Sequence, residues 1–389
     1  MEWKTVKLGE IIKLHDSKRV PLSSLERAKR QGIYPYYGAA SIVDYIDGYI
    51  FDGDYILLGE DGTVITEKGT PILQKPSGKF WVSNHAHIIT NEVDVDFDFL
   101  YYLLSVTNIS SVVTGAVQMK MSQKNLINIE VQIPSLKDQR RIAAILSSLD
   151  NKIENNNRIN SNLEAQAQAL FKSWFVDFEP FGGVMPDCWL FDNISAFPHI
   201  LETGRRPKGG AVESGVPSIG AEHIKGMGTY DYSKTKYITE KYARSMKTGK
   251  INGYELLIYK DGGKPGYFIP NFTIYGEGYP FDECYINEHV LKLDFPDQSF
   301  NIFCYFYFQE PEVMTYLNAL GGKAAIPGIN KSDIENINIL SPENEAVKQF
   351  GNIVLPYFTT ILRNLKENKR LATLRDTLLP KLMKGEIAL

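Results

Sequence analysis

The sequence predicts an α/β protein in which two α/β domains are separated by two long antiparallel helices that form a coiled coil, with pseudo-two-fold symmetry. Three observations support this prediction. The chain repeats itself, each repeat ends in a long heptad pattern, and short apolar runs typical of strands fill the remainder. We therefore divide the chain into a globular segment 1–133, a helical segment 134–180, a globular segment 181–340 and a helical segment 341–389.

The internal repeat is clearest in residues 126–175 and 334–383, which align without a gap. Upstream, the alignment continues across loops of different length. Identical polar residues recur at matched positions, namely Asp61 and Asp261, His85 and His289, Asn156 and Asn364, and Asn160 and Asn368. A duplicated module usually produces a pseudo-symmetric molecule, which suits a target with two halves.

The first long helix is predicted from a sustained heptad pattern. Apolar residues recur in alternating steps of four and three over residues 142–174, and Asn156 and Asn160 fall in the same frame. Ser135 precedes the pattern as a predicted N-cap, with Asp138 at the capping-box position. Such regular spacing indicates a helix that buries one narrow stripe. A helix of this size would be on the order of 60 Å long.

The second long helix has the same heptad frame over residues 350–382. Ser341 and Pro342 supply a predicted N-cap and a proline in the first turn. Pro356 and Pro380 lie within the pattern. Because proline lacks an amide donor, we expect kinks or frayed turns at these two positions.

The asparagines in both heptads predict how the helices pair. In an antiparallel arrangement, placing Asn156 opposite Asn368 also places Asn160 opposite Asn364, and mostly apolar residues then face each other. Buried asparagine pairs lower stability but define the register. The alternative is that each helix packs only on its own globular domain. The predicted seam residues are Ile153, Asn156, Asn160, Leu163, Ile361, Asn364, Asn368 and Leu371.

The globular segments contain strand patterns such as 55–58 and 255–259, and helix patterns at 97–106 and 300–309. Basic loops and glycine-flanked polar loops recur at matching places in both halves. Lysine and arginine neutralise phosphates, whereas Asp, Glu and Asn contact base edges, so these loops are candidate DNA contacts. For any single charge, a solvated loop is the simpler explanation. The candidates are Lys18, Arg19, Lys29, Arg30, Glu60, Asp61, Thr63, Asn84, His85, Arg205, Arg206, Glu222, His223, Lys260, Asp261, Lys264 and His289.

Composition limits the possible classes of protein. The net charge of −4 argues against nonspecific coating of nucleic acid, although a partner could supply phosphate contacts. Three scattered cysteines form neither a disulfide framework nor a metal-site spacing. The sequence shows no signal peptide and no apolar run long enough to span a bilayer. We expect a reduced, cytoplasmic setting and no membrane partner.

The sequence also lacks motifs for catalysis. It has neither a Gly-x-Gly-x-x-Gly fingerprint nor a P-loop. His85 and His87 could suggest a metal pair, but on a strand both would share one face with no third ligand nearby in sequence. We therefore expect no metal site, and no catalytic residue is assigned.

Four segments resemble the specificity subunits of type I restriction–modification systems. They are residues 3–10, 133–146, 169–178 and 378–386. The resemblance covers the whole chain and is most specific in the two helical segments. It implies that each globular segment is a target recognition domain for one half of a bipartite double-stranded DNA site. It also implies that the paired helices set the spacing between the halves.

The resemblance implies partners and cofactors as well. Two modification (methyltransferase) subunits would dock on the helices, near Trp174, Phe175 and Phe178, and restriction (endonuclease and translocase) subunits would join them. S-adenosylmethionine, ATP and Mg²⁺ would act in those partners, so we expect no cofactor in this non-catalytic chain. The alternatives are a coiled-coil adaptor that binds proteins rather than DNA, and an enzyme with an unrecognised motif.

Overall fold

The structure, a computed structural model, describes residues 2–62, 64–115, 119–262, 268–322 and 327–387. The chain folds into two compact units: Met1–Lys152 with Leu371–Leu389, and Ile153–Arg370. Both units contain helices and strands, so the α/β class is confirmed. The four-segment division drawn from the sequence stays a prediction. Within the described ranges, none of the helices combines the length and apolar character needed to cross a bilayer.

The first unit contains four small sheets, with strand orders β2-β10-β6-β8, β4-β3-β9-β5, β1-β12 and β7-β11. Its strands are β1 (Lys4–Lys7), β2 (Ile12–Leu14), β3 (Gln31–Tyr37), β4 (Ile42–Ile46), β5 (Phe51–Asp52), β6 (Ile56–Gly59), β7 (Asp61–Gly62), β8 (Leu73–Gln74), β9 (Lys79–Val82), β10 (Ala86–Asn91), β11 (Met119–Lys120) and β12 (Glu130–Ile133). Its helices are α1 (Ser24–Ala28), α2 (Phe97–Val106), α3 (Gln123–Ile127), the first part of α4 (Leu136–Phe175) and the end of α9 (Glu345–Met383).

The second unit contains sheets of order β14-β20-β17-β18, β16-β15-β19 and β13-β21. Its strands are β13 (Phe191–Asn193), β14 (Ile200–Thr203), β15 (Val216–Ile219), β16 (Lys236–Ile238), β17 (Leu256–Tyr259), β18 (Phe272–Ile274), β19 (Tyr285–Ile286), β20 (Val290–Asp294) and β21 (Asn338–Leu340). Its helices are the second part of α4, α5 (Glu240–Ser245), α6 (Gln298–Tyr307), α7 (Pro311–Gly321), α8 (Lys331–Glu335) and most of α9 (Glu345–Met383).

The core of the first unit forms where α2 packs on the sheet that contains β6 and β10. Asp96 caps α2 by accepting a hydrogen bond from the amide of Phe99. Ile56 and Ile89 are buried with Phe99 in one apolar cluster. Leu146 of α4 and Leu382 of α9 belong to the same cluster. Segments that are far apart in sequence therefore close one core.

The core of the second unit is dominated by aromatic rings around α6. The ring of Phe350 lies 5.8 Å from that of Phe306 and 5.7 Å from that of Phe171, measured between ring centroids. All three side chains are buried. Both long helices contact this cluster of rings through aromatic side chains, and α6 is buried along nearly its whole length.

The ends of the long helices agree with the sequence at one position and differ at another. Ser135 caps α4, since its hydroxyl accepts a hydrogen bond from the amide of Asp138. The prediction of Ser341 as the cap of the second helix was wrong. Asn344 caps α9 by accepting from the amide of Ala346, because a turn separates Ser341 from the first helical residue.

The two prolines in α9 do not produce the frayed turns that the sequence predicts. The helix continues through Pro356 and Pro380 and ends at Met383. Proline removes one amide donor from the helical hydrogen bonds but leaves its own carbonyl available. Burial of Val354 and Phe358 on either side of Pro356 offers stabilisation that offsets this loss.

Within the second unit, the predicted asparagine pairs are hydrogen-bonded. Asn156 Nδ2 donates to Asn368 Oδ1 at 2.8 Å, and Asn364 Nδ2 donates to Asn160 Oδ1 at 2.8 Å. The other predicted seam residues in this unit are buried or half-buried. In the first unit, Arg375, which the predicted register places opposite Leu149, donates instead to Asp150 at 2.7 Å.

Candidate nucleic-acid interface

Each unit has a pair of antiparallel strands that ends in polar residues. In the first unit, Gly59 of β6 pairs with Ala86 of β10, and the next amide, that of Glu60, donates to the carbonyl of His85 at 2.8 Å. In the second unit, β17 and β20 end in the same way, with the amide of Lys260 donating to the carbonyl of His289 at 3.1 Å. Positions matched in the sequence repeat therefore occupy matching places in the two strand pairs.

A histidine–aspartate hydrogen bond lies at each of these strand ends. His85 Nδ1 is 2.6 Å from Asp61 Oδ1, and His289 Nδ1 is bonded to Asp261 Oδ1. The glycine after each aspartate has a positive φ, 81° at position 62 and 132° at position 262. Glycine tolerates this conformation better than other residues. In both units, the aspartate of a recurrent Asp-Gly sequence is thus bonded to the histidine at the strand end.

In the first unit, Arg19 stabilises the strand end rather than facing solvent. Its guanidinium donates to Glu60 Oε2 at 2.5 Å and to the carbonyls of Asn84 at 3.2 Å and Ala86 at 3.0 Å. Its side chain is only 16% exposed. Arg19 therefore positions Glu60 and Asn84, while Asn84 and His85 themselves are exposed.

In the second unit, the corresponding strand end carries different charges. Glu288 replaces Asn84 and accepts from Arg206 Nε at 2.7 Å. Lys260 replaces Glu60 and is bonded to Asp261. Burial tends to raise the pKa of Asp261, but hydrogen bonds from Lys260 and His289 lower it further, so its pKa lies below the usual range. The carboxylate is therefore ionised, as its two donors require.

A cleft opens beside each histidine. In the first unit the cleft has a volume of about 300 Å³, and its lining includes Arg27, Tyr36, Asn84 and His85. In the second unit the volume is about 310 Å³, and the lining includes Arg205, Arg206, Glu222, Lys236 and His289. Donors and acceptors surround both clefts, which is suitable for contacting base edges and phosphates.

The chain is similar to known proteins in sequence and in fold. The family model described as "Type I restriction modification DNA specificity domain" matches residues 1–165. The MjaIX specificity subunit of Methanocaldococcus jannaschii is 26% identical over 311 residues, covering 75% of this chain and 69% of that protein. The HindI specificity subunit of Haemophilus influenzae is 27% identical over 337 residues, covering 67% and 69%. The chain is therefore similar to the specificity subunits of type I restriction–modification systems.

The fold of a solved specificity subunit is also similar. The crystal structure of the S subunit from M. genitalium superposes with a TM-score of 0.66 at 15% identity, covering 98% of this chain and 96% of that chain. The resemblance found in the sequence is thus confirmed. These similarities are consistent with DNA sequence recognition within a restriction–modification complex, and they do not favour the adaptor alternative.

The structure changes the interpretation of several candidate residues. His223 is only 1% exposed and its ring stacks on Tyr230 at 4.4 Å, so it is a core residue with no edge available to a base. Arg30 is bonded to Asp47 and lies over the ring of Trp81, while Lys18 and Lys29 are exposed. Thr63 and Lys264 lie outside the described residues.

The first unit also contains a buried polar network that the sequence did not reveal. His87 is fully buried, with Nδ1 2.6 Å from Asp16 Oδ2 and Nε2 2.9 Å from the carbonyl of Met121. Asp16 also accepts from the amide of Ile88 and from Gln123 Nε2. The two histidines, His85 and His87, do not share a strand face, because β10 begins at Ala86. No sequence signal links Asp16 to His87.

Asp16, Glu60 and His87 offer ligand atoms that lie within 4.8 Å of one another, as a metal site would require. The surroundings do not fit a cation. Arg19 is bonded to Glu60 and approaches Asp16 Oδ2 to 3.8 Å, so a positive charge already neutralises the carboxylates. Among the described residues, this cluster is better explained as a structural network.

The predicted partner-binding residues lie near the end of α4. Trp174, Phe175 and Phe178 are all half-buried. Phe175 packs on Phe303 with ring centroids 5.0 Å apart, and Phe178 packs on Trp189 at 5.8 Å. Each ring therefore contributes to the second unit and exposes only part of its surface. Their role in partner binding stays a prediction.

Proposed function

We propose that this protein contacts its DNA through the two strand ends described above, each for one half of a bipartite site. The observation that carries the proposal is the recurrence of the His–Asp pair at matching places with different neighbours. Glu60 and Asn84 in the first unit correspond to Lys260 and Glu288 in the second. A shared framework with different donors and acceptors suits recognition of two different base sequences.

We also propose that α4 and α9 pair as an antiparallel coiled coil with pseudo-two-fold symmetry and set the separation of the half-sites. The hydrogen bonds of Asn156 with Asn368 and of Asn160 with Asn364 support this pairing. The ion pair between Arg375 of α9 and Asp150 of α4 supports the same antiparallel pairing in the first unit. With 40 residues, α4 is about 60 Å long, well over one ~35 Å turn of B-DNA.

The chemistry of modification and restriction would belong to partner subunits. We expect two modification subunits to dock near Trp174 and Phe178, and restriction subunits to join that assembly. S-adenosylmethionine, ATP and Mg²⁺ would be bound by those partners, and this chain would contribute recognition rather than catalysis. We expect the protein and its partners to be in the cytoplasm.

The phosphate-contact part of the proposal can be tested with Arg205, which is exposed and lines the cleft beside His289. In the complex assembled with modification subunits, Arg205→Ala should weaken binding to DNA of any sequence. It should also reduce the slope of log K against log salt concentration by about 1, because one phosphate contact is lost. Fluorescence anisotropy with a labelled duplex at several salt concentrations measures both quantities.

Arg363→Ala is the matched control, since Arg363 is an exposed arginine on α9 in the same unit. It should leave the slope unchanged. An unchanged slope for Arg205→Ala would remove Arg205 from the interface. If the wild-type assembly itself showed no preference for any DNA sequence, the proposed function would be wrong.

The helix pairing can be tested with Asn364. Asn364→Leu leaves the amide of Asn160 buried without its partner, so the free energy of unfolding of the second unit should fall by about 1–3 kcal/mol. Replacing both asparagines by leucine should recover much of this loss, because no unmatched amide then remains. Urea unfolding of the four proteins in a double-mutant cycle measures the coupling.

Asn352→Leu provides the control for the same chemical change at an exposed position of α9. Its effect should be small. Additive losses in Asn160→Leu and Asn364→Leu would contradict a direct interaction between the two side chains.

A further inference from the structure

The hydrogen bond between His85 and Asp61 determines which ring nitrogen carries the proton. A carboxylate can only accept, so His85 Nδ1, which is 2.6 Å from Asp61 Oδ1, must be the donor. In the neutral imidazole the other nitrogen, Nε2, is then an unprotonated acceptor. Asp61 therefore makes Nε2 of the neutral His85 ring a hydrogen-bond acceptor.

This acceptor is accessible. The side chain of His85 is 50% exposed and lines the cleft of the first unit. The backbone around it is held in place, since its amide donates to Ser83 Oγ at 3.2 Å and its carbonyl accepts from Glu60. Among the residues that the structure describes, none is hydrogen-bonded to Nε2. The ring thus presents a free acceptor from a fixed position.

The matching histidine in the second unit lacks this property. His289 Nδ1 is bonded to Asp261, and its Nε2 lies 3.3 Å from Glu288 Oε1. With a carboxylate at each nitrogen, the ring has no free acceptor. The same His–Asp pair therefore has different consequences in the two halves, because position 84 is asparagine and position 288 is glutamate.

We propose that His85 is a specificity-determining residue that accepts a hydrogen bond at Nε2 from the exocyclic amino group of an adenine or a cytosine. Asp61 is a positioning residue that holds the required tautomer. This inference rests on the proposed function, because it assumes that the strand end of the first unit enters the major groove. There, the adenine N6 and cytosine N4 amino groups are the hydrogen-bond donors.

The same argument excludes the other base atoms. Guanine O6 and N7, adenine N7 and thymine O4 are acceptors. An unprotonated Nε2 facing any of these atoms would bring two acceptors together and leave both desolvated without a hydrogen bond. His85 should therefore favour bases that carry an exocyclic amino group over the other bases, rather than strengthen binding to every sequence.

The test uses the full chain assembled with its modification subunits and a duplex that contains its recognition sequence, identified by methylation mapping. Each adenine of the site is replaced in turn by purine, and each cytosine by 2-pyrimidinone, which removes one amino group at a time. One such replacement should weaken wild-type binding by about 2- to 10-fold. The same replacement should have no effect on the His85→Ala complex.

Asp61→Asn tests the positioning role. An asparagine amide can donate to Nδ1, which allows the proton to move to Nε2. In this variant, we expect the penalty for the sensitive amino group to disappear while the other replacements retain theirs. Asp54→Asn makes the same change at an exposed position of the first unit and should behave as wild type.

The possible outcomes distinguish a failure of this inference from a failure of the proposed function. If wild type binds its site specifically but no amino group couples to His85, this inference is wrong and the proposed function stands. Replacing a guanine by 7-deazaguanine removes the N7 acceptor. If this replacement weakened binding by wild type but not by the His85→Ala complex, Nε2 would be a donor and the inference would be overturned. If wild type binds all sequences equally, the proposed function itself fails.

Discussion

Replacing Asp16 by alanine is expected to lower the free energy of unfolding of the first unit by about 3–5 kcal/mol, as expected when one partner of a buried charged pair is removed. The carboxylate accepts from His87 Nδ1 at 2.6 Å, from the amide of Ile88 at 2.8 Å and from Gln123 Nε2 at 2.6 Å. Alanine would leave these donors without an acceptor. Because His87 is fully buried, water cannot replace the carboxylate without opening the core.

Urea unfolding monitored by hydrogen exchange in the first unit measures this loss. Asp54→Ala removes an exposed carboxylate from the same unit and should change stability by less than about 0.5 kcal/mol. Equal stability of Asp16→Ala and wild type would mean that the buried network contributes nothing.

The effect of Asp16 should depend on pH. Burial tends to raise the pKa of Asp16, but hydrogen bonds from His87, Ile88 and Gln123 lower it further, so its pKa lies below the usual value of 3.8. A carboxyl group with a lowered pKa stabilises the folded state fully above its unfolded-state pKa, and this contribution is lost as pH falls through the folded-state pKa. The stability difference between wild type and Asp16→Ala should therefore shrink below about pH 4.

Phe350→Ala is expected to lower the free energy of unfolding of the second unit by about 3–5 kcal/mol, the usual effect of removing a fully buried phenylalanine. Its ring contacts those of Phe171, Phe175 and Phe306, with centroids 5.5–5.8 Å apart. These rings come from α4 and α6. The change should therefore leave a cavity where both long helices meet the globular part of the unit.

Ile353→Ala is the matched control for Phe350→Ala. Ile353 lies on the same helix but is 40% exposed, so its truncation should have a much smaller effect. Chemical denaturation with hydrogen exchange resolved over residues 153–370 compares the two variants. Similar losses for both would show that α9 does not dock through Phe350.

Much of the helical architecture could be predicted because its signals are local or periodic. The heptad frame places Asn160 and Asn364 on matching stripes, and their side chains are hydrogen-bonded in the structure. The Asp-Gly repeat likewise predicts that Asp61 and Asp261 occupy equivalent positions, and the matching backbone hydrogen bonds of Glu60 and Lys260 agree. In both cases, residue spacing within a short segment carries the necessary information.

Other features depend on contacts between distant segments and were not predictable. The burial of His223 follows from its stacking on Tyr230, which no pattern in the sequence indicates. Arg19 was a candidate phosphate contact, yet Glu60 and two carbonyls hold it because the start of β10 lies beside it. The helix cap at Asn344 was missed because Ser341 and Pro342 have equally suitable chemistry.

The contribution of residues 371–389 to the first unit has a consequence for synthesis on the ribosome. Leu382 and Met383 are buried in the core that the N-terminal residues begin, so this core cannot close until translation reaches them. The intervening residues 153–370 form one uninterrupted unit, whose completion needs no later segment. At ~5–20 residues per second, the N-terminal part waits roughly 10–50 s with its apolar surface uncovered.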